Sequence, residues 1–429
     1  MKVYLDTIGC RLNQAEIESF ARQFRLAGHE LVSSPDQADL AVINTCTVTR
    51  RADADSRQKL HQMERAGVEQ IVATGCWVTL HPEEAQTLPG IQRIVPNDLK
   101  DRLVSDLLQI PQAAFDLDPI EREPLPGARG RTRAFIKVQD GCDNRCTFCI
   151  TTLARGNGRS RAAATVLADV QAALRGEAQE VVLTGVHLGS WGKDFAPPQH
   201  LRHLVQTVLA ATDLHRLRLS SLEPWDLDAE FFELWSDPRL CRHLHLPLQS
   251  GCAATLRRMA RKTTPESFTD LVAAARAAIP SVAITTDIIV GFPGEDEAEF
   301  ADSLAFVQAM QFAGGHVFAY SERPGTAAMR LPGAVPHSVR KERSLRMRLA
   351  LAESSAAYRA GFVSSSLPVL WESTHGFGPQ GWELSGLTDN YLRVSAFSPE
   401  PISNRIMMVN LTSVIDDGMQ GQLVGLVVC

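Results

Sequence analysis

The chain has 429 residues, 45% of them hydrophobic and 21% charged, which at about 150 residues per domain suggests roughly three globular domains and excludes a collagen, a coiled coil and a wholly disordered chain. The net charge is −6, so a nucleic-acid partner is not announced by overall charge and needs a local basic surface. No apolar run reaches the roughly 18 residues of a membrane span, and Asp6 interrupts the start of the chain where an export signal would stay apolar. A cytoplasmic protein is expected.

The first segment alternates strand and helix. Val3-Tyr4-Leu5 reads as a strand and 13–28 as an amphipathic helix. Leu40-Ala41-Val42-Ile43 and Gln70-Ile71-Val72-Ala73-Thr74 read as further strands, with a helix over 48–66 between them. A helix follows Pro82, and Ile91-Gln92-Arg93-Ile94-Val95 closes the unit. Short apolar strands separated by helices imply a parallel sheet, here an N-terminal Rossmann-like domain over 1–110. Residues 111–130 hold Pro111, Pro119, Pro124, Pro126, Gly127 and Gly130 and read as a linker. Six more strand–helix units follow, on Phe135 to Val138, Val181 to Leu183, Leu217 to Leu219, Leu244 to Leu246, Ile284 to Val290 and Val317 to Tyr320. Six units fall short of the eight of a full barrel, so 131–360 is expected to form a partial (βα)6 barrel with its chemistry at the carboxyl strand ends. An Arg/Ala-rich helix covers 337–360. Beyond 364, four short strand candidates and turn signals suggest a small antiparallel β-barrel. The fold class is α/β.

Nine cysteines are present: Cys10, Cys46, Cys76, Cys142, Cys146, Cys149, Cys241, Cys252 and Cys429. An odd count without an export signal argues against a disulfide framework. Cys142-Asp143-Asn144-Arg145-Cys146-Thr147-Phe148-Cys149 is a C-x3-C-x2-C motif just after the first barrel strand. Three thiolates can hold three irons of a 4Fe–4S cluster and leave the fourth open. A zinc site would need a fourth closing ligand, and no further Cys or His lies nearby. Cys10, Cys46 and Cys76 each follow a predicted strand, so the parallel sheet should bring them to one edge. Cys241, Cys252 and Cys429 show no pattern and read as buried or incidental thiols. His243 and His245 alternate along a strand and are expected to face opposite sides of it.

With the six βα units downstream, the C-x3-C-x2-C motif resembles the radical SAM superfamily. That resemblance implies that S-adenosylmethionine (SAM) binds the open iron, that Phe148 packs near its adenine, and that Thr184-Gly185 meets its amino group. Ser221, Glu223, Gln249 and Asp287, at strand ends, are further SAM candidates. Thr7-Ile8-Gly9-Cys10, Asn44-Thr45-Cys46-Thr47-Val48-Thr49 and Thr74-Gly75-Cys76 are similar to the N-terminal domain of the radical SAM methylthiotransferases, and 364–429 to their TRAM domain. The family implies a second 4Fe–4S cluster on Cys10, Cys46 and Cys76 that carries the sulfur. One SAM would methylate that sulfur. A second would yield the radical that abstracts hydrogen from C2 of an adenine, and no acid–base residue is called for. Within the family the motifs resemble the branch acting on N6-threonylcarbamoyladenosine 37 in the tRNA anticodon loop. Methylthiolation of isopentenyladenosine, of a ribosomal protein Asp, or no catalysis at all in an iron–sulfur RNA-binding protein are the alternatives. The family also implies an electron donor of flavodoxin or ferredoxin type; the sulfur source stays open. One departure is Thr151-Thr152-Leu153, where relatives often carry Ile-Pro before the Arg-Gly seen as Arg155-Gly156.

Basic clusters that could bind RNA are Arg129, Arg131, Arg133 and Lys137; Arg155, Arg159 and Arg161; Arg257, Arg258, Arg261 and Lys262; and Arg340, Lys341, Arg343, Arg346 and Arg348. Arg155 and Arg323 are the expected neighbours of the threonyl carboxylate. The last domain is mostly acidic.

Overall fold

The computed structural model describes residues 1–115 and 132–426. Arg129, Arg131 and Cys429, and most of the expected linker, lie outside the described residues. Of that linker, Gln112–Phe115 forms a 3-10 turn, and Phe115 is buried in the N-terminal core.

Five parallel strands build the first domain: β1 (Lys2–Thr7), β2 (Glu30–Val32), β3 (Leu40–Thr45), β4 (Gln70–Gly75) and β5 (Ile91–Val95), in the order β2-β1-β3-β4-β5. All of β3 is buried, as a strand covered on both faces must be. The helix Arg11–Leu26 packs Ile17, Phe20 and Phe24 on one face of the sheet. The helix Arg50–Arg65, capped by Thr49, packs Leu60 and Met63 on the other. The chain therefore leaves β1 and β3 on opposite faces. Between those two strands lies the switch point where doubly wound sheets open a crevice beyond their carboxyl ends.

The six barrel strands form as expected: β6 (Arg133–Lys137), β9 (Glu180–Thr184), β10 (Arg216–Leu219), β11 (His243–His245), β12 (Ala283–Val290) and β13 (Gly314–Ala319). Between β6 and β9, the short strands β7 (Gln139–Asp140) and β8 (Arg159–Ser160) pair antiparallel and clamp the base of the cysteine loop. The main strands make two parallel sheets, β10-β9-β6 and β11-β12-β13, joined through the Ser221–His245 bridge. Among the described residues β6 and β13 do not pair, so the barrel is open there.

Alternation sorts the side chains. Ala134, Ile136, Val181, Leu183, Leu217 and Leu219 join the core beneath the outer helices. Phe135 and Val182 point inward and meet Ala15 of the helix Arg11–Leu26, so the N-terminal domain fills part of the lumen. His243 and His245 do not face opposite sides. Both rings reach Thr285 Oγ1, at 3.0 and 2.9 Å. Residues two apart on a strand share a face, and both point into the lumen.

The helix His337–Ala360 leads to a closed barrel of β14 (Ser366–Gly378), β15 (Gly381–Thr388), β16 (Arg393–Ser398), β17 (Arg405–Ile415) and β18 (Gly418–Leu426). Four of its pairings are antiparallel, and a parallel pair, β16 with β18, closes it. The barrel docks on the amino end of the partial barrel. There Arg218 pairs with Glu180 at 2.6 Å and donates to the carbonyls of Thr388 and Asp389. Among the described residues, no helix is long and apolar enough to cross a membrane.

Candidate active site

Cys10, Cys46 and Cys76 follow the carboxyl ends of β1, β3 and β4 and meet at the switch point. Two glycines allow the approach. Gly9 has φ +107°, and a Cβ there would lie 2.6 Å from Cys46 Sγ; Gly75 has φ +103°, and its Cβ would lie 2.3 Å from the Thr45 carbonyl. No L side chain fits either place. Cys10 occupies the N-cap position of the helix Arg11–Leu26 but makes no side-chain cap, so its thiol is left for other partners. Asn13 ties the loops by donating to the carbonyls of Ile8 and Thr45, at 2.8 and 3.2 Å. Asn97 Nδ2 lies 3.5 Å from Cys76 Sγ and 2.7 Å from the Ala154 carbonyl. Burial pushes the Cys46 thiol up to about 12. A thiol so buried sheds its proton for a cationic partner, and binding metal would release it.

The second triplet lies on the loop between β7 and the helix Thr151–Arg155. Gly141, at φ +70°, lets the loop pass Asn157, whose carbonyl a Cβ would meet at 1.9 Å. Thr147 anchors the loop to the carbonyls of Met259 and Arg258, at 3.0 and 2.8 Å. Arg261 Nη1 lies 3.6 Å from Cys146 Sγ, and its Nη2 pairs with Glu223 at 2.6 Å. Burial raises the thiols of Cys146 and Cys149. Among the described residues no three His, Cys, Asp or Glu side chains gather closely enough to hold a single metal ion. Thiolate donors are the kind an iron–sulfur cluster takes.

Around this loop stand the strand-end candidates. Thr184 is buried at the end of β9, and Gly185 passes so close to Gln139 that a Cβ would lie 3.0 Å from its Oε1. Ser221 bridges to His245. Gln249 has a left-handed φ of +75°, and its amide donates to the Asp287 carbonyl. Phe148 meets Phe292 edge-on with centroids 6.5 Å apart. Ser220 Oγ, Asp287 Oδ1, Tyr320 Oη and Ser321 Oγ are buried without a hydrogen-bond partner. Buried polar atoms are rarely left so, and four of them at or just past strands β10, β12 and β13 fit a polar cofactor such as SAM.

Sequence reasoning missed the pairings that tie the two domains together beside the triplets. Arg155, at the end of the helix after Cys149, is buried and crosses to the N-terminal domain. It pairs with Glu16 and Asp140, both at 2.9 Å, and donates to Asn13 Oδ1 at 2.6 Å. Glu16 also accepts from Lys100 at 2.9 Å and from Asn44 at 2.9 Å. His187, three residues after Thr184, pairs with Asp226 beside Cys142. Burial favours its neutral ring, but the hydrogen bonds of Asp226 and Cys142 outweigh it and lift His187 to about 9.

The arginines expected to meet substrate are spent on the chain's own groups. Arg155 is neutralised as described, and Arg323 binds Asp53 and Thr47 across the domain boundary. Arg340 donates to the Tyr320 carbonyl, Arg343 pairs with Glu295 and Glu297, and Arg346 pairs with Glu297. These three fasten the helix His337–Ala360 to the partial barrel. Replacing Arg343 with Ala is therefore expected to cost on the order of 3 kcal/mol, because a buried ion pair loses one member. Thermal melting checks this; an unchanged midpoint would show that the pair holds nothing.

Residues 2–95 match the model described as Uncharacterized protein family UPF0004, and residues 136–307 match the Radical SAM superfamily. The chain is 33% identical over 437 residues to the threonylcarbamoyladenosine tRNA methylthiotransferase MtaB of Bacillus subtilis (strain 168), covering 99% of this chain and 97% of that one. To the protein of the same name from Thermotoga maritima it is 35% identical, with 86% of each chain covered. It is also 31% identical to the tRNA-2-methylthio-N(6)-dimethylallyladenosine synthase of Moorella thermoacetica, over 97% of each chain. Among solved structures, the radical S-adenosylmethionine methyltransferase TsrM of Kitasatospora setae superposes with a TM-score of 0.56 at 15% identity, covering 76% of each chain; this likeness concerns the fold alone. With identity of this order spread over nearly its whole length, the chain belongs to the radical SAM methylthiotransferase family.

Proposed function

We propose that the protein transfers a methylthio group to C2 of N6-threonylcarbamoyladenosine in a tRNA anticodon loop. The observation that supports the reading is the Arg155–Glu16 bridge, which ties the helix after Cys149 to the helix after Cys10. Radical SAM membership brings an iron–sulfur cluster and SAM. In this reading Cys142, Cys146 and Cys149 hold one 4Fe–4S cluster, and Cys10, Cys46 and Cys76 hold another. When bound, these groups supply the radical that removes hydrogen from C2 and the sulfur that replaces it. The chain's own residues do the positioning. The unpartnered polar atoms of Ser220 and Asp287 face where SAM would lie, and Phe148 offers an apolar face to its adenine. Ala15 and its helix close the lumen against water. A low-potential flavodoxin or ferredoxin is the matching electron donor.

The anticodon loop suits this chemistry because its bases can be splayed out and taken singly. Its phosphates need cations that are not already paired, which leaves Arg257, Lys262, Lys341 and Arg348 ahead of the paired arginines. The test is turnover of anticodon stem-loop RNAs, read as the methylthio nucleoside by mass spectrometry. The RNA carrying threonylcarbamoyladenosine is expected to react faster than the one carrying isopentenyladenosine. The reverse order would move the protein beside its dimethylallyladenosine relatives.

A further inference from the structure

We infer that Arg11 binds the carboxylate of the modified nucleoside and that Tyr391 of the C-terminal barrel holds it in position; this rests on the function proposed above. Arg11 directly follows Cys10. It lies four residues before Ala15, so the two share a helix face. Ala15 packs against Phe135 and Val182 inside the lumen. Arg11 is therefore directed at the same space, where His243, His245, Thr285 and Asp287 also face.

The partners of Arg11 set it apart from the other arginines of the site. Its Nη2 donates to the Tyr391 hydroxyl at 2.6 Å, and the guanidinium carbon lies 5.9 Å from that ring. Among the described residues no carboxylate lies within ion-pair distance of it. Arg155, Arg261 and Arg323 are each matched to a carboxylate. Arg11 is half-buried, and it keeps donors that its one neutral partner does not occupy. A planar guanidinium with free donors takes a carboxylate through two parallel N–H···O bonds.

Tyr391 is built to keep that cation still. Its backbone is left-handed, with φ +67°, a conformation that persists in a tyrosine only where the surroundings fix it. Its ring stacks on His243 at 4.0 Å with the planes 4° apart, and the Arg218 guanidinium lies 5.2 Å from the ring centre. The hydroxyl is thus fixed by contacts with the partial barrel while it holds a side chain of the N-terminal domain. The threonyl carboxylate is the anionic group that separates this nucleoside from an alkylated adenosine. A half-buried cation that loses its remaining water without gaining a counter-ion penalises any substrate lacking that group.

The test compares the protein with its R11Q, R11K and Y391F variants on two stem-loop RNAs. One carries threonylcarbamoyladenosine and the other its threoninamide analogue, which lacks the charge. Fluorescence anisotropy gives affinity, and steady-state assays give kcat and KM separately. Iron content and melting temperature report folding. R11Q is expected to shrink the acid-over-amide preference by about 10- to 100-fold, the weight of a charge-assisted hydrogen bond. R11K should retain part of the preference, and Y391F should lose less of it than R11Q, through KM. Equal losses on both RNAs, or an unchanged preference in R11Q, would overturn the inference and leave the proposed function standing. A parent protein that turns over neither RNA would overturn the function and this inference with it.

Discussion

A variant with Cys142, Cys146 and Cys149 all replaced by Ala is expected to lose SAM cleavage completely. It should retain about half of the roughly eight irons that two 4Fe–4S clusters bring. The loop containing these thiols is fixed independently of them, by Gly141 at its base and by the Thr147 bonds to Met259 and Arg258. The substitution therefore removes ligands more than it removes structure. Cys241 is no ready substitute for them. Cys241 is buried at the opposite end of the barrel, with its sulfur 3.9 Å from Glu180, and burial pushes its thiol up to about 12. The complementary replacement of Cys10, Cys46 and Cys76 should remove the other half of the iron. Methylthiolation should then vanish while SAM is still cleaved under reductant. Iron and sulfide analysis with chromatography of 5′-deoxyadenosine reads both variants. SAM cleavage by the first variant would reverse the roles given to the two triplets.

What could be read from the sequence followed the strength of local patterns. Most parallel strands of both α/β domains carry apolar runs or alternating apolar residues, and each of those was legible. β2 spans only three residues and has no run to read. β18 escaped for another reason. Its sequence, Gly418-Met419-Gln420-Gly421-Gln422-Leu423-Val424-Gly425-Leu426, has too little apolar alternation, and Gly421 is there because a Cβ would strike Val409 at 2.3 Å. The six patterned cysteines were legible because strand ends of one parallel sheet, or three positions of one loop, must converge. The charges were not. Arg155 finds Glu16 across 139 residues and Arg323 finds Asp53 across 270, and spacing along a chain does not reveal pairs made when two domains dock. Read one at a time, both arginines look free for a substrate carboxylate. The error at His243 and His245 was one of parity, since period-two alternation places neighbours, not next-neighbours, on opposite faces.

Those long-range charges carry the second large effect. Replacing Glu16 with Gln is expected to cost about 3–5 kcal/mol, because it leaves buried cations short of a counter-charge. Lys100 and Arg155 each lie 2.9 Å from the Glu16 carboxylate, and Lys137 lies 3.6 Å away. Asp140 would remain as the partner of Arg155 and Lys137, but Lys100 would lose its carboxylate and keep neutral acceptors such as Asn44 Oδ1, at 3.2 Å. Burial works to raise the Glu16 carboxyl, yet Arg155, Lys100 and Lys137 outweigh it and hold the group well below its ordinary 4.5. A carboxylate depressed on folding contributes its full stabilisation above the unfolded value and loses it as pH falls through the folded one. The gap in urea midpoint between parent and variant should thus stay level above the ordinary value of 4.5 and close progressively below it. Function should respond unevenly. Asn44, next but one to Cys46, donates to Glu16, and Arg155 at the end of the Cys149 loop grips both Glu16 and Asn13. Loosening that knot changes how one triplet sits against the other without touching a ligand of either. Methylthiolation, which needs both, should fall further than SAM cleavage, which needs one. Equal losses in the two assays would make Glu16 a folding residue alone.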